Sequence, residues 1–400
     1  MQRLYALIVF FLVLFMVIGA IVFYLVTQNN NTSIPSLTYP MTASLWSAYL
    51  KNQWLSEGRT ISDPINSVTT SEAQSYTLLR AVWENDQKVF KTTWDWTRNN
   101  LMQNNGLFAW RWGKNPDGNY GVMTGVGGQN TAADADCDIA LSLLMAAAKW
   151  KNPAYQTQAT AIVKAIWKEE VVKVKNMYYL AADNLEKTAQ TPYIVINPSY
   201  FSPYSYRVFA KIDPANSWNK LASDCYVELN TILSSDLGST TSDGLPPDWA
   251  IVNRYNGLVS PSPNPDQDTN FGFNAFRTVW RLTLDWQWFH INAAKHTLKR
   301  FGFLYSQWQK HHQLFAIYSH NGSAQVDYSS LAMYGGTLGY FALFHPSSAR
   351  NITLNKIINP LFNPKTNKLK INVDYYDNSW LWFGLRQYDH ALPDLARSIK

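Results

Sequence analysis

Two stretches of this chain place carboxylates where a helix would begin. The first is Thr69-Thr70-Ser71-Glu72-Ala73-Gln74-Ser75-Tyr76, and the second is Ala132-Ala133-Asp134-Ala135-Asp136-Cys137-Asp138-Ile139-Ala140. Each leads into an apolar run of helical period. A carboxyl group at a helix start is held in fixed geometry beside backbone N–H groups. Two such starts around one cleft make a proton-transfer site. Thr69-x-x-Glu72 also fits a capping box, in which the glutamate satisfies a helix amide. Gln74, Ser75 and Tyr76, however, are polar and aromatic for a helix entering a core. If Glu72 is flanked by aromatics such as Trp110 and Trp112, desolvation disfavours its charged form, and it can hold a proton as a general acid. In the second stretch, acids in a first helical turn suit the helix dipole. Three in five residues go beyond that need, and Asp134 and Asp138 share a face at i, i+4 and repel. The crowding calls for an offset: a cation, sugar hydroxyls or basic partners. Calcium is one reading, but the glycine and ligand spacing of a calcium loop are missing.

Three further words open helices or close loops: Asn197-Pro198-Ser199-Tyr200 through Arg207, Gly244-Leu245-Pro246-Pro247-Asp248-Trp249, and Phe271-Gly272-Phe273-Asn274-Ala275-Phe276-Arg277. The chain has no HExxH, GxSxG, P-loop or helix-opening GxGxxG, and its seven His have no metal-ligand spacing. Charged residues make up 16% and apolar ones 46%, which supports a large core rather than disorder. The net charge of +6 comes with no Lys/Arg run longer than two, so no nucleic-acid partner is expected. Cys137 and Cys225 read as small buried hydrophobes. With 17 Trp and 23 Tyr there is more aromatic surface than a core alone needs, favouring a cleft that stacks on sugar rings.

The elements that must position these residues are helical nearly throughout. Apolar spacing predicts helices near 41–56, 70–82, 84–101, 131–150, 153–172, 200–212, 216–236, 270–288, 291–312, 328–345, 347–363 and 376–390. Long loops, at 104–130, 173–199 and 237–269, alternate with short ones. Twelve helices so arranged predict an all-α fold, an (α/α)6 barrel of six helical hairpins, with long loops and inner helix starts at the functional end. No composition break divides residues 41–400, which read as one domain. Ahead of it, Leu4 to Val26 carries no charged side chain, and at 1.5 Å per residue it is long enough to cross a bilayer core. Residues 1–26 therefore read as a short cytoplasmic tip and an uncleaved transmembrane signal anchor. Arg3 precedes the span and no Lys or Arg follows before Lys51, which places the remainder of the chain outside the cell membrane as a single-pass protein. Residues 27–40, with three consecutive Asn and two Pro, read as a polar tether.

These words resemble glycoside hydrolase family 8, the old cellulase family D, over nearly all of residues 41–400. The most specific match is the acidic helix word from Ala132 to Trp150, which departs at Ala133 where the family prefers a hydroxyl. The Ser-Glu-x-Gln-Ser-Tyr word at Ser71–Tyr76, Asn-Pro-Ser-Tyr and Pro-Asp-Trp also match. The resemblance implies an (α/α)6 barrel and inverting, endo-acting hydrolysis of β-linked polysaccharides. By the same likeness Glu72 is the general acid, Asp134 binds and distorts the sugar at the scissile position, and Tyr200 and Arg277 line the cleft. Asn274 is the departure: many members carry there the Asp that activates water, and an amide cannot accept the proton. Some members recruit the base from an inserted loop. The segment Asn264–Asn270 offers Asp266 and Asp268, of which Asp268 is nearer the helix start, and Asp243 is a third candidate.

An inverting pair needs carboxyl groups about 6.5–9.5 Å apart, leaving room for water. The expected mechanism pairs Glu72 with a loop Asp and requires no metal or organic cofactor. Trp110, Trp112, Tyr200 and Trp249 are expected to form sugar subsites. Three functions fit: a membrane-anchored endoglycanase acting on exopolysaccharide or cell-envelope glycan, a catalytically impaired glycan-binding module, and a structural partner of a polysaccharide synthase.

Overall fold

The computed structural model describes residues 35–64, 67–238 and 241–399. The expected span at 4–26, and tether residues 27–34, lie outside the described residues. Among the described residues no helix is long and apolar enough to cross a membrane.

Thirteen helices form the frame: α1 (Pro35–Asn52), α2 (Ser71–Glu84), α3 (Gln87–Asn100), α4 (Ala133–Trp150), α5 (Pro153–Glu169), α6 (Pro203–Ile212), α7 (Trp218–Ile232), α8 (Phe276–Phe289), α9 (Asn292–Lys299), α10 (Gly302–His311), α11 (Leu331–Phe344), α12 (Pro346–Asn351) and α13 (Tyr375–Tyr388). Burial sorts them into two rings. In α2 every residue from Ala73 to Trp83 is buried, and α4 is buried from Ala133 to Ala147. The first ten residues of α8 and most of α6, α11 and α13 are buried as well. A helix buried all round belongs inside other helices. By contrast α3 buries only Val89, Phe90, Thr93, Trp94 and Thr97, and α5 only Tyr155, Ala159, Ile162, Val163 and Ile166, one stripe each. Each inner helix packs against an outer one: α2 with α3, α4 with α5, α6 with α7, α8 with α9, α11 with α12, and α13 with α1. Inner helices follow one another round the ring, and side chains of α13 close it against α2. There Arg80 donates to Asn378 (3.0 Å), Trp382 donates to Glu84 (2.9 Å), and Tyr76 meets Trp380 and Phe383 edge-on. This is the expected barrel of six helical hairpins.

The tightest approach in the ring is α11 on α13. A Cβ on Gly335 would run into the Trp380 carbonyl, and one on Gly384 into the carbonyl of Gly335. Only glycine lets the two backbones meet at that distance.

Three expectations change. The tether expected at 27–40 does not extend to residue 40, because α1 starts at Pro35 and runs through Pro40. Thr38, Met41, Thr42, Leu45, Trp46 and Tyr49 are buried at helical spacing, so this stretch belongs to the outer ring. The helix expected at 291–312 is two, α9 and α10, and the one at 347–363 passes from α12 into a wider π-helical turn at Ile352–Ile358. The long loops are not all irregular. They hold seven of the ten short strands found among the described residues, which pair into four antiparallel sheets, so the fold is mostly helical rather than purely so. Two sheets matter for the site. One joins β1 (Thr69–Thr70), β2 (Arg111–Lys114) and β3 (Tyr120–Val122), with Thr69 opposite Trp112. The other joins β4 (Tyr193–Ile196), β5 (Ala250–Asn253) and β6 (Val259–Ser260), which ties loop 173–199 to loop 237–269.

Candidate active site

The starts of α2, α4, α8 and α13 converge at one end of the barrel, and a single guanidinium links three of them. Arg277, 1% exposed in the first turn of α8, donates from Nη1 to Glu72 Oε2 (2.8 Å) and to Asp134 Oδ2 (2.9 Å). The same nitrogen reaches Tyr76 Oη at 3.2 Å. Nη2 donates to the Asn274 side-chain oxygen, and the guanidinium lies 5.4 Å from the centre of the Tyr200 ring. Tyr375, the first residue of α13, donates to the other oxygen of Glu72 at 3.0 Å.

Local sequence explains each placement. Thr70, not Thr69, caps α2 by accepting the Ala73 N–H (3.1 Å), and Thr69 Oγ1 donates instead to the Thr60 carbonyl. The capping box is therefore not formed, and Glu72 is free to reach across the barrel. Gln74 anchors the same turn: its oxygen accepts the Thr60 N–H (2.8 Å), and its nitrogen donates to the Gly58 carbonyl and to Thr97. Asn197 accepts the Ser199 N–H and closes the short 3-10 turn that presents Tyr200. Asp248, buried under the start of α8, accepts the N–H groups of Gly272 (3.3 Å), Asn274 (2.9 Å) and Ala275 (2.6 Å), and so fixes the turn that carries Asn274 and Arg277. Burial pushes the Asp248 carboxyl up to about 7 even against those donors.

The crowded acids of α4 are offset by basic partners, one of the three readings open from sequence. Asp134 pairs with Arg277, and one turn on Asp138 is held by Arg281 through two bonds of 2.9 and 2.8 Å. The i, i+4 spacing on α4 meets the same spacing on α8, so repulsion along each helix becomes attraction between them. Asp136 points elsewhere, accepts the Phe108 N–H (3.0 Å), and is pushed by burial up to about 8.

Glu72 and Asp134 compete for one nitrogen. Burial raises the pKa of both above the ordinary carboxylate range and Arg277 opposes the shift; Asp134 raises Glu72 further, and Asp138 does the same to Asp134. Asp134 is 3% exposed and adds the Ala135 N–H as a donor, whereas Glu72 is 26% exposed toward the cleft. One positive charge between two buried carboxyls favours a state with one proton, and the cleft-facing Glu72 is its holder. Tyr375 stabilises the ionised form of Glu72. A Tyr375→Phe variant is therefore expected to move the alkaline limb of the kcat/KM profile upward by about half to one pH unit, since one hydrogen bond contributes about 1 kcal/mol. A pH–rate profile measures it, and a downward shift would contradict the contact.

A cavity of about 540 Å³ opens over Glu72, lined also by Phe273, Asn274, Tyr328, Ser329, Ser330, Asp374, Tyr376 and Asp377. Of the residues predicted for the site, Glu72, Asp134, Arg277, Asn274 and Tyr200 come together. Asp268 is not brought into this cavity. It is exposed, and its Oδ1 accepts the Asn270 N–H within its own loop (3.0 Å). Asp266 and Asp243 are exposed and do not line the cavity either. The aromatics flanking Glu72 are Tyr76 and Tyr375 rather than Trp110 and Trp112. Trp110 donates to the Gly127 carbonyl (3.0 Å), and Trp112 stacks on Tyr120, meets Trp96 edge-on and lies under Arg59. Both tryptophans stay near the start of α2, because the Trp110 carbonyl accepts the Ser71 N–H. Trp249 packs edge-on against Tyr200 at 5.9 Å. Sequence reasoning missed Tyr375, Tyr376 and Asp377, although Asp374-Tyr375-Tyr376-Asp377 is itself an acidic, aromatic helix start.

Comparison with known proteins follows the same lines. The family model described as "Glycosyl hydrolases family 8" matches residues 26–385. Endoglucanase 2 of Ruminiclostridium josui is 32% identical over 236 residues, which are 58% of this chain and 45% of that protein. The endoglucanase of Escherichia coli K12 is 33% identical over 217 residues, 53% of this chain and 55% of that protein. The chain thus spans about half the length of these curated relatives. Among solved structures, the endo-1,4-D-glucanase of Vibrio fischeri ES114 superposes with a TM-score of 0.70 at 22% identity, covering 86% of this chain and 94% of that one. The β-1,3-1,4-glucanase of Paenibacillus sp. X4 gives 0.73 at 20%, covering 90% and 93%. At such identities the structural likeness speaks for the fold.

Proposed function

The chain belongs to glycosyl hydrolases family 8, and from that premise we propose that it cleaves β-linked glycosidic bonds within a polysaccharide, with inversion at the anomeric carbon. The observation that carries this reading is the Glu72–Arg277–Asp134 bridge, whose Glu72 lines an open cavity. Glu72 gives its proton to the leaving oxygen. Asp134, kept ionised by Arg277, holds the sugar at the scissile position. A water on the opposite face of the ring completes an in-line displacement. The relatives are named as glucanases, which favours a β-1,4-linked or mixed-linkage glucan backbone.

The substrate we favour is the cell's own exopolysaccharide or envelope glycan. The charge-free stretch Leu4–Val26 supports this, because an anchor in the cell membrane keeps the activity outside and beside the producing cell. A synthase in the same membrane is the partner such a position favours. The second reading is a glycan-binding module without turnover, and Asn274 in the place of a base favours it.

One experiment addresses both halves. The full chain is assayed in alkaline-carbonate-washed membranes on carboxymethyl cellulose, mixed-linkage β-glucan and β-1,4-xylan. Retention after the wash is expected, as are released reducing ends, with the α-anomer appearing first by NMR. Loss into the wash removes the anchor. No release from any of the three glycans removes the hydrolase reading in favour of the binding module.

A further inference from the structure

Asn274 leaves the water without its expected base. Its side-chain oxygen is bonded to Arg277, and an amide takes up no proton at neutral pH. The cavity over Glu72 has two other acids in its wall, Asp374 and Asp377, both from the start of α13. Asp374 is occupied as the cap of that helix: its Oδ1 accepts the Asp377 N–H at 2.8 Å. Asp377 is half-buried. Its Oδ1 accepts the Ala332 N–H (2.8 Å) and the Ser330 hydroxyl (3.3 Å), and its Oδ2 has no partner among the described residues. The bond to Ala332 is not needed to start α11, since Ser330 already caps it by accepting the N–H groups of Ala332 and Met333.

We propose that Asp377 is the general base of the reaction, a role that rests on the hydrolase reading above. The first turn of α13 then serves both ends of the chemistry. Tyr375 touches the acid Glu72, Tyr376 ties the helix to the Phe273 carbonyl beside Asn274, and Asp377 lines the same cavity as Glu72. Both acids line one cavity of about 540 Å³, and an inverting pair needs a separation of about 6.5–9.5 Å to admit the water. In the step, Glu72 transfers its proton to the glycosidic oxygen as the C1–O bond breaks. Water forms the new C1–O bond from the opposite face, and its proton passes to Asp377 Oδ2. Glu72 ends ionised and Asp377 protonated, and exchange with solvent after product release restores both. Burial and the neighbouring Asp374 push the Asp377 carboxyl up to about 6, which keeps it ionised at neutral pH while strengthening it as a base.

The test compares wild type, Asp377→Asn, Asp374→Asn and Asp268→Asn on mixed-linkage β-glucan across pH, with and without azide. The asparagine at 377 retains an oxygen for Ala332 and Ser330. Its kcat is expected to fall by about 10²–10⁴-fold, the acid limb of the pH profile to vanish, and azide to restore turnover with an α-glycosyl azide as product. A cap that only supported the fold would change none of the last two. Activity within twofold of wild type with the acid limb intact overturns the assignment, as does loss of that limb in Asp268→Asn instead. If Asp377→Asn does not fold, Asp377→Glu is read in its place. A retained acid limb with lowered kcat supports the base, and unchanged kcat overturns it. A wild type inactive on all three glycans fails the hydrolase reading itself and the base with it, whereas an active wild type beside an unaltered Asp377→Asn fails only the base.

Discussion

Replacing Glu72 by glutamine is expected to lower kcat by about 10²–10⁴-fold while leaving glycan affinity within a few-fold of wild type. The amide is nearly isosteric. Its oxygen still accepts from Arg277 or Tyr375, so the cleft keeps its shape, and what disappears is the transferable proton. The alkaline limb of the pH profile should disappear with it. That limb reports Glu72 losing its proton, and burial holds the carboxyl above its ordinary range so that the acid form persists toward neutrality. Reducing-end assays give kcat, and affinity electrophoresis in glycan-containing gels gives binding. Full activity in the variant would remove Glu72 as the acid. Lost binding together with lost turnover would mean that the carboxyl holds sugar rather than protonating it.

The helical ring was legible because burial all round and burial on one stripe leave different apolar spacings, and residues such as Leu141, Leu144 and Met145 repeat them without interruption. Asp134 and Glu72 were legible for a different reason: acids heading an otherwise apolar run stand out against the core they enter. The offset to their repulsion was not. Arg277 and Arg281 lie far along the chain, and nothing local says that their four-residue spacing meets the spacing of Asp134 and Asp138. The first turn of α1 was hidden by Pro35 and Pro40, which read as tether residues, although Thr38, Met41 and Leu45 carry the helical stripe. The small sheets were hidden because two- to four-residue strands are too short to alternate visibly. Asp377 went unseen because the missing base was sought upstream of α8. Ring closure instead brings the last inner helix next to the first, so Asp377 near one end of the chain and Glu72 near the other line one cavity.

Removal of Arg277 should cost the fold more than any other single change at the site. Arg277→Gln leaves Glu72 and Asp134 buried side by side with no positive charge between them, and breaking one partner from a buried ion pair costs about 3–5 kcal/mol. The pH dependence separates this from loss of packing. In wild type Arg277 draws both carboxyls down against a burial effect that raises them. Without it, both folded-state values rise further above those of the unfolded chain. The folded state then binds more protons than the unfolded one, so stability increases as pH falls through the folded values. The deficit against wild type should be largest at alkaline pH and shrink as pH falls through the raised folded-state values, where the two acids become neutral and the missing charge matters less. Tryptophan-monitored denaturant unfolding of both proteins at a series of pH values measures it, and Arg277→Lys, which keeps the charge but not the fork, should recover part of the loss. A deficit that is constant with pH would mean that Arg277 stabilises the barrel by filling space between α2, α4 and α8, and the charge balance assigned to Glu72 and Asp134 would have to be abandoned.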